Sequence, residues 1–133
     1  MHQERALVMD IDGTLCRVKS AEQSYLDVEP IPEVIDKLRE YRQQGFYVIL
    51  YSSRNMKTYQ GNLGRIIANT TKVLTQWLDR YDIPYDEIHL GKPWAGKVGF
   101  YVDDRAIRPD EFVKLSFSEI TELLGGPQER SDA

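Results

Sequence analysis

The chain has 133 residues and a mass of 15.4 kDa, which suits one domain with a proper hydrophobic core. Its 41% hydrophobic and 29% charged residues match the average of soluble globular proteins and exclude collagen-like and disordered classes. A formal net charge of -4 argues against a broad electrostatic grip on DNA or RNA, so no nucleic-acid partner is expected.

Ala6-Leu-Val-Met9 is a short continuous apolar run that ends at an acidic turn, the pattern of a buried parallel strand. Residues 16–30 are polar and without period, and read as a loop or small flap. Pro32 opens a helix with Val34, Ile35, Leu38 and Tyr41 on one face, and Gly45 stops it. A second buried strand runs from Phe46 to Tyr51 and meets Ser52-Ser53-Arg54. Residues 56–68 give no clear assignment. A further helix carries Val73, Leu74, Trp77, Leu78 and Tyr81, with Asn69, Thr70 or Thr71 as candidate caps. Glu87-Ile-His-Leu90 and Val98–Val102 read as two more strands, the latter closed by Asp103-Asp104-Arg105. Ser116 or Ser118 caps a last helix containing Ile120, Leu123 and Leu124. The expected organisation is one domain over residues 1–124, followed by a disordered polar tail over 125–133.

Alternating strands and helices predict an α/β fold: three Rossmann-like layers, a parallel sheet with helices on both faces. The single cysteine, Cys16, cannot form an internal disulfide, which suits a reducing compartment, and it reads as a small apolar filler rather than a nucleophile. No apolar run has the length of a membrane span or a leader, so a cytoplasmic location without membrane contact is expected.

Three polar clusters each follow directly after an apolar strand: Asp10-Ile-Asp-Gly-Thr14, Ser52-Ser-Arg54 and Asp103-Asp104. In a parallel sheet all three fall on the carboxyl edge, where open α/β folds place their ligands. One acidic pair after a strand is as readily a turn feature; three such clusters on one edge form a site. Residues two apart in an extended segment point the same way, so Asp12 can face what Asp10 faces. Arg54 and Arg105 can bind substrate anions or form surface ion pairs, and the residues leave both readings open. His89 alternates with Ile88 and Leu90 and reads as a structural strand position, while Trp94 is an even choice between substrate wall and packing.

Asp10-Ile11-Asp12-Gly13-Thr14-Leu15 resembles the first motif of the haloacid dehalogenase-like superfamily of phosphatases. Ser52 resembles the second motif, Lys92-Pro93 the third and Asp103-Asp104 the fourth, in matching order over roughly residues 6 to 124. The strings Tyr51-Ser-Ser-Arg-Asn-Met56 and Tyr101-Val-Asp-Asp-Arg105 are further similar to small bacterial members known as capsule-biosynthesis phosphatases. The resemblance implies a magnesium-dependent phosphomonoesterase in which Asp10 is the nucleophile, Asp12 the general acid and base, and Lys92 the balancing cation. Lys97 is a rival for that last role. It also implies phosphate binding by Gly13, Thr14, Ser52, Ser53 and Arg54, and Mg²⁺ ligation by Asp10, the Asp12 carbonyl, Asp103 and Asp104. The division between the last two is left open.

Many relatives in that superfamily carry a cap domain over the site, and neither gap between motifs here has room for one. A capless site implies either a large exposed substrate or a second copy of the chain covering it, as a homo-oligomer. A sugar phosphate of surface-polysaccharide synthesis is the leading substrate. A polynucleotide or phosphoprotein phosphatase is the alternative enzyme, and a non-catalytic phosphate-binding protein the alternative outside enzymes. Residues of the flap such as Arg17, Lys19 and Tyr25 can screen water or form plain surface loop.

Overall fold

The structure, a computed structural model, describes residues 4–128. It divides into two compact units, Met1–Trp94 and Ala95–Ala133, each described below by itself.

The first unit is built on three parallel strands in the order β1-β2-β3: Ala6–Asp10, Tyr47–Ser52 and Glu87–Leu90. The register pairs Asp10 with Tyr51 and Tyr51 with His89. Helix α1 (Pro32–Gln43) crosses from β1 to β2, and α2 (Leu63–Arg80) from β2 to β3. Two right-handed crossovers that step the same way along a sheet put both helices on one face. The alternation along β2 fits this: Val48, Leu50 and Ser52 are buried, while Tyr47, Ile49 and Tyr51 are half-buried. Leu38, Leu74, Trp77 and Leu78 pack into that covered side with no exposure. Within this unit, therefore, the expected helices on both faces are helices on one.

Most element boundaries follow local chemistry. Pro32 stands at the first turn of α1, where its missing N–H costs nothing, and Gly45 ends the helix at φ 90°. The start of α2 corrects the sequence reading. Asn62, not Asn69, Thr70 or Thr71, caps it, accepting from the Arg65 N–H at 3.1 Å. The other three lie inside the helix, where Asn69 donates to the Arg65 carbonyl and the Thr70 hydroxyl to Asn55 Oδ1. Period alone does not mark an N-terminus when the first turns carry Gly64 and half-polar residues. The flap between β1 and α1 contains a single 3-10 turn, Tyr25–Asp27. It is tied to α2 by Trp77 Nε1–H to the Val28 carbonyl at 2.9 Å and by Arg80 Nη1 to the Leu26 carbonyl at 3.2 Å.

The second unit holds two short helices, α3 (Pro109–Lys114) and α4 (Phe117–Leu123). Ser116 caps α4, with Glu119 returning the hydrogen bond to the Ser116 N–H. Gly125 and Gly126 close it, their N–H groups bonding to the carbonyls of Glu122 and Thr121. The strand expected at Val98–Val102 is absent: this stretch joins no ladder, and Val98, Phe100 and Val102 are exposed. The unit offers it no second strand, and an extended segment without a neighbour has nowhere to place its N–H and C=O groups. The tail beyond residue 128 lies outside the described residues. No helix among them is long and apolar enough to cross a membrane.

Candidate active site

Asp10 is the last residue of β1, and the chain turns sharply after it. The Ile11 carbonyl accepts from the N–H groups of Thr14 and Leu15 at 3.1 and 2.9 Å, and the Gly13 N–H bonds to the Cys16 carbonyl at 2.7 Å. Gly13 sits at φ 88°, a conformation that a side chain would strain. The backbone N–H groups of Gly13 and Thr14 are thus spent inside the turn. What Thr14 aims at the site is its hydroxyl, which donates to Asp10 Oδ2 at 3.4 Å.

A loop after β3 brings Lys92 to the same carboxylate. Its N–H bonds to the Ser52 carbonyl at 3.0 Å, fixing the backbone against the end of β2, and its Nζ lies 3.6 Å from Asp10 Oδ1. Lys92 is thus the candidate lysine that the first unit itself brings to Asp10; Lys97 belongs to the second unit, described by itself. Burial pushes the Asp10 carboxyl above its usual value, more strongly than Lys92 and the Ile11 N–H pull it down, and neighbouring Asp12 adds to the rise.

Ser52 is buried at the end of β2, and its hydroxyl oxygen accepts from the Arg54 N–H at 2.9 Å. A hydroxyl keeps its own proton to donate in such an arrangement. Ser53 is half-buried, its carbonyl holding the Met56 N–H.

Arg54 does something that the sequence reading did not find. Its side chain is only 1% exposed, and its fork closes on Asp12: Nε to Oδ2 at 3.1 Å and Nη2 to Oδ1 at 2.9 Å. The Tyr25 ring of the flap lies against the guanidinium, its centroid 3.9 Å from Cζ. Two of the Arg54 donors, Nε and Nη2, hold a carboxylate of the first motif. Its neighbourhood to Ser52 was the only signal in the sequence, since nothing in spacing says which acid an arginine meets.

Cys16 lies beneath the same group, fully buried, with Sγ 3.5 Å from Asp12 Oδ1. Burial, with a contribution from Asp12, pushes its thiol up to about 12, so it stays a protonated filler.

Asp103 and Asp104 are exposed residues of the second unit, where Asp103 Oδ1 accepts from the Arg105 N–H at 2.8 Å. Arg105 is committed structurally, its Nη1 donating to the carbonyls of Leu124 and Gly126. His89 is exposed and bonded to Glu87 at 2.7 Å, a strand position as expected. Trp94 is 45% exposed with Lys57 over its ring, so it is not core packing. Trp77 is core.

The donors that the first unit offers a metal are oxygens, which suit Mg²⁺. Arg54 takes one bond at each carboxylate oxygen of Asp12, and the Asp12 main-chain carbonyl is a further oxygen donor on the same turn. Among the described residues no three His, Cys, Asp or Glu side chains are grouped for a metal.

No protein-family profile and no curated protein matches the chain. Among solved structures, a structural-genomics target from Vibrio cholerae is similar at 46% identity and a TM-score of 0.87, over 91% of this chain and 97% of that one. A chain of the Pnkp1/Rnl/Hen1 complex is similar at 24% identity and TM-score 0.49, covering 84% of this chain and 34% of that one. The D,D-heptose bisphosphate phosphatase from B. bronchiseptica, complexed with magnesium and phosphate, is similar at 16% identity and TM-score 0.45, covering 72% and 55%. At those scores neither of the last two bears on fold or activity. The first likeness shows the family: this chain belongs to the same family as the Vibrio cholerae protein.

Proposed function

We propose that the chain is a magnesium-dependent phosphomonoester hydrolase of the haloacid dehalogenase-like type, acting through a phosphorylated Asp10. The observation that carries this reading is the surroundings of Asp10. A strand-end carboxylate stands with Lys92 Nζ at 3.6 Å and the Thr14 hydroxyl at 3.4 Å, two residues away from an Asp12 whose direction is fixed by Arg54.

In this reading an Asp10 oxygen attacks phosphorus in line with the ester oxygen, forming the acyl phosphate as the P–O bond to the leaving group breaks. Asp12 gives the departing oxygen its proton. It then takes one from the water that attacks the acyl phosphate, which releases phosphate and restores Asp10. A carboxylate has about four lone-pair sites, so the bidentate grip of Arg54 leaves others for that proton. Lys92 offsets the repulsion between Asp10 and the phosphoryl group, and Ser52 and Thr14 donate hydroxyl protons to its oxygens. Mg²⁺ would be held by Asp10 and the Asp12 carbonyl, with Asp103 and Asp104 as the further ligands that the family resemblance implies, and would supply charge neutralisation on the phosphoryl oxygens. The substrate in this proposal is a small phosphorylated metabolite such as a sugar phosphate of surface-polysaccharide synthesis, and the site works in the cytoplasm.

The test is a screen of phosphorylated metabolites, phosphopeptides and phosphorylated oligonucleotides, with Mg²⁺ present and with it chelated. Metabolite hydrolysis that vanishes on chelation supports the reading. Preference for an oligonucleotide sinks the substrate class, and mass spectrometry of quenched turnover that finds the phosphoryl adduct off Asp10 sinks the mechanism.

A further inference from the structure

A cavity of about 310 Å³ opens in the first unit beside the candidate active site. The flap supplies Lys19 and Tyr25, the loop after β2 supplies Arg54 and Asn55, and α2 supplies Asn69 and Thr70. Its volume suits a body the size of one monosaccharide. The walls are set rather than loose. Thr70 is buried and its hydroxyl holds Asn55 Oδ1 at 2.7 Å, with Asn55 kept at φ 64°. The flap is pinned to α2 through Trp77 and Arg80.

The only charged residues in this lining are Lys19 and Arg54, both cations. Arg54 stands between the cavity and the chemistry, since the same guanidinium that lines the cavity grips Asp12. A planar fork that spends Nε and Nη2 on one carboxylate turns Nη1 away from it. That Nη1 is buried and has no hydrogen-bond partner among the described residues. Sealed as it is, that N–H adds positive charge to the cavity wall rather than a donor open to a ligand.

We propose that this cavity receives the alcohol half of the substrate and that this half carries a carboxylate, recognised by Lys19 and Arg54. The class is phosphate esters of small polyhydroxy acids. The inference rests on the phosphatase reading, because Asp12 would sit at the leaving oxygen and Arg54 joins Asp12 to the cavity.

The experiment compares two ligands matched except at one end, gluconate phosphate and sorbitol phosphate, each esterified at its terminal carbon. Affinities are measured by calorimetry with Mg²⁺, using the Asp10→Asn protein to block turnover. Gluconate phosphate is expected to bind roughly tenfold tighter, and Lys19→Gln in the same background to cut that margin severalfold, Arg54 remaining. Equal affinities before the lysine is changed, or a preference undiminished by Lys19→Gln, overturn the cavity assignment. The two readings fail separately. A binding preference in a protein whose wild type hydrolyses neither ester nor any aryl phosphate keeps the carboxylate pocket and removes the phosphatase.

Discussion

Arg54 meets Asp12 in a side-on pair, Nε to Oδ2 and Nη2 to Oδ1, under the ring of Tyr25. Such a pair fixes the plane of the carboxylate as well as its distance, which a lysine cannot do. If Asp12 protonates the leaving oxygen, that direction matters most for esters whose alcohols leave poorly. Arg54→Lys is therefore expected to lower kcat for alkyl phosphates by about tenfold or more relative to dinitrophenyl phosphate, whose leaving group needs little acid help. A uniform loss across both esters would make Arg54 a structural residue only. Arg54→Ala strands a carboxylate that has lost a charged partner, and is expected to cost about 2 kcal/mol in denaturant unfolding.

Asp10 is held above its usual protonation range chiefly by burial. For an acid, a raised value in the folded state means that the native protein binds the proton more tightly than the unfolded chain. Stability contributed by that group is then present below the ordinary carboxylate value near 3.8 and is lost as pH climbs through the raised one. At neutral pH the ionised Asp10 is a burden on the fold. Asp10→Asn is accordingly expected to raise Tm at pH 7 in chelator and, in separate assays with Mg²⁺, to cut hydrolysis by roughly a thousandfold or more. The Tm advantage should shrink as pH is lowered. A variant that melts below the wild type at pH 7 would show that the contact with Lys92 outweighs the burial.

How much of this was legible beforehand depends on whether the cause is local. Asp10, with Thr14 beside it, stands at a strand end because Ala6–Met9 is apolar and Gly13 permits the turn, and all of that is written within a few residues. The helix over Pro32–Gln43 is equally local, with its proline start and glycine stop. Trp77 was readable as core from its helix face, but its hydrogen bond to Val28, 49 residues away, was not. Arg54 on Asp12 is a pairing across strands, which register decides and composition does not, whereas Lys92 at Asp10 was legible only through the family resemblance. The Val98–Val102 run has the composition of a strand, yet a strand exists only with a partner, and none stands within its own unit. Asn62 shows the limit from the other side: a cap in plain view, passed over because the apolar stripe of α2 is stronger further along.

Cys16 gives an independent check on the turn that carries the site. Its thiol is fully buried and pushed up to about 12, so almost no thiolate exists at pH 8. In the native protein it should resist iodoacetamide for hours at that pH and react promptly once denaturant unfolds the chain. Fast native alkylation would mean that the segment from Asp10 to Cys16 opens readily, and the fixed direction of Asp12 would have to be given up with it.

Trp77 tests whether the flap is a wall or a lid. Its indole N–H reaches the Val28 carbonyl at 2.9 Å, and both residues are buried. Trp77→Phe keeps an aromatic ring on the core face of α2 but leaves that carbonyl without its donor. The missing bond, together with the lost ring volume, is expected to cost about 2 kcal/mol of global stability. Arg80 still holds Leu26, so the flap should loosen rather than detach. Amide exchange is then expected to rise first over residues 24–30, with the β1–β2 ladder slowed or quickened only in step with overall stability. Since Tyr25 on that flap presses on Arg54, the same variant should weaken the preference for carboxylate-bearing esters before it affects turnover of an aryl phosphate. Exchange that rises evenly through the first unit would mean that the flap opens only when the whole unit does, and its tie to α2 would then have no separate role in shaping the site.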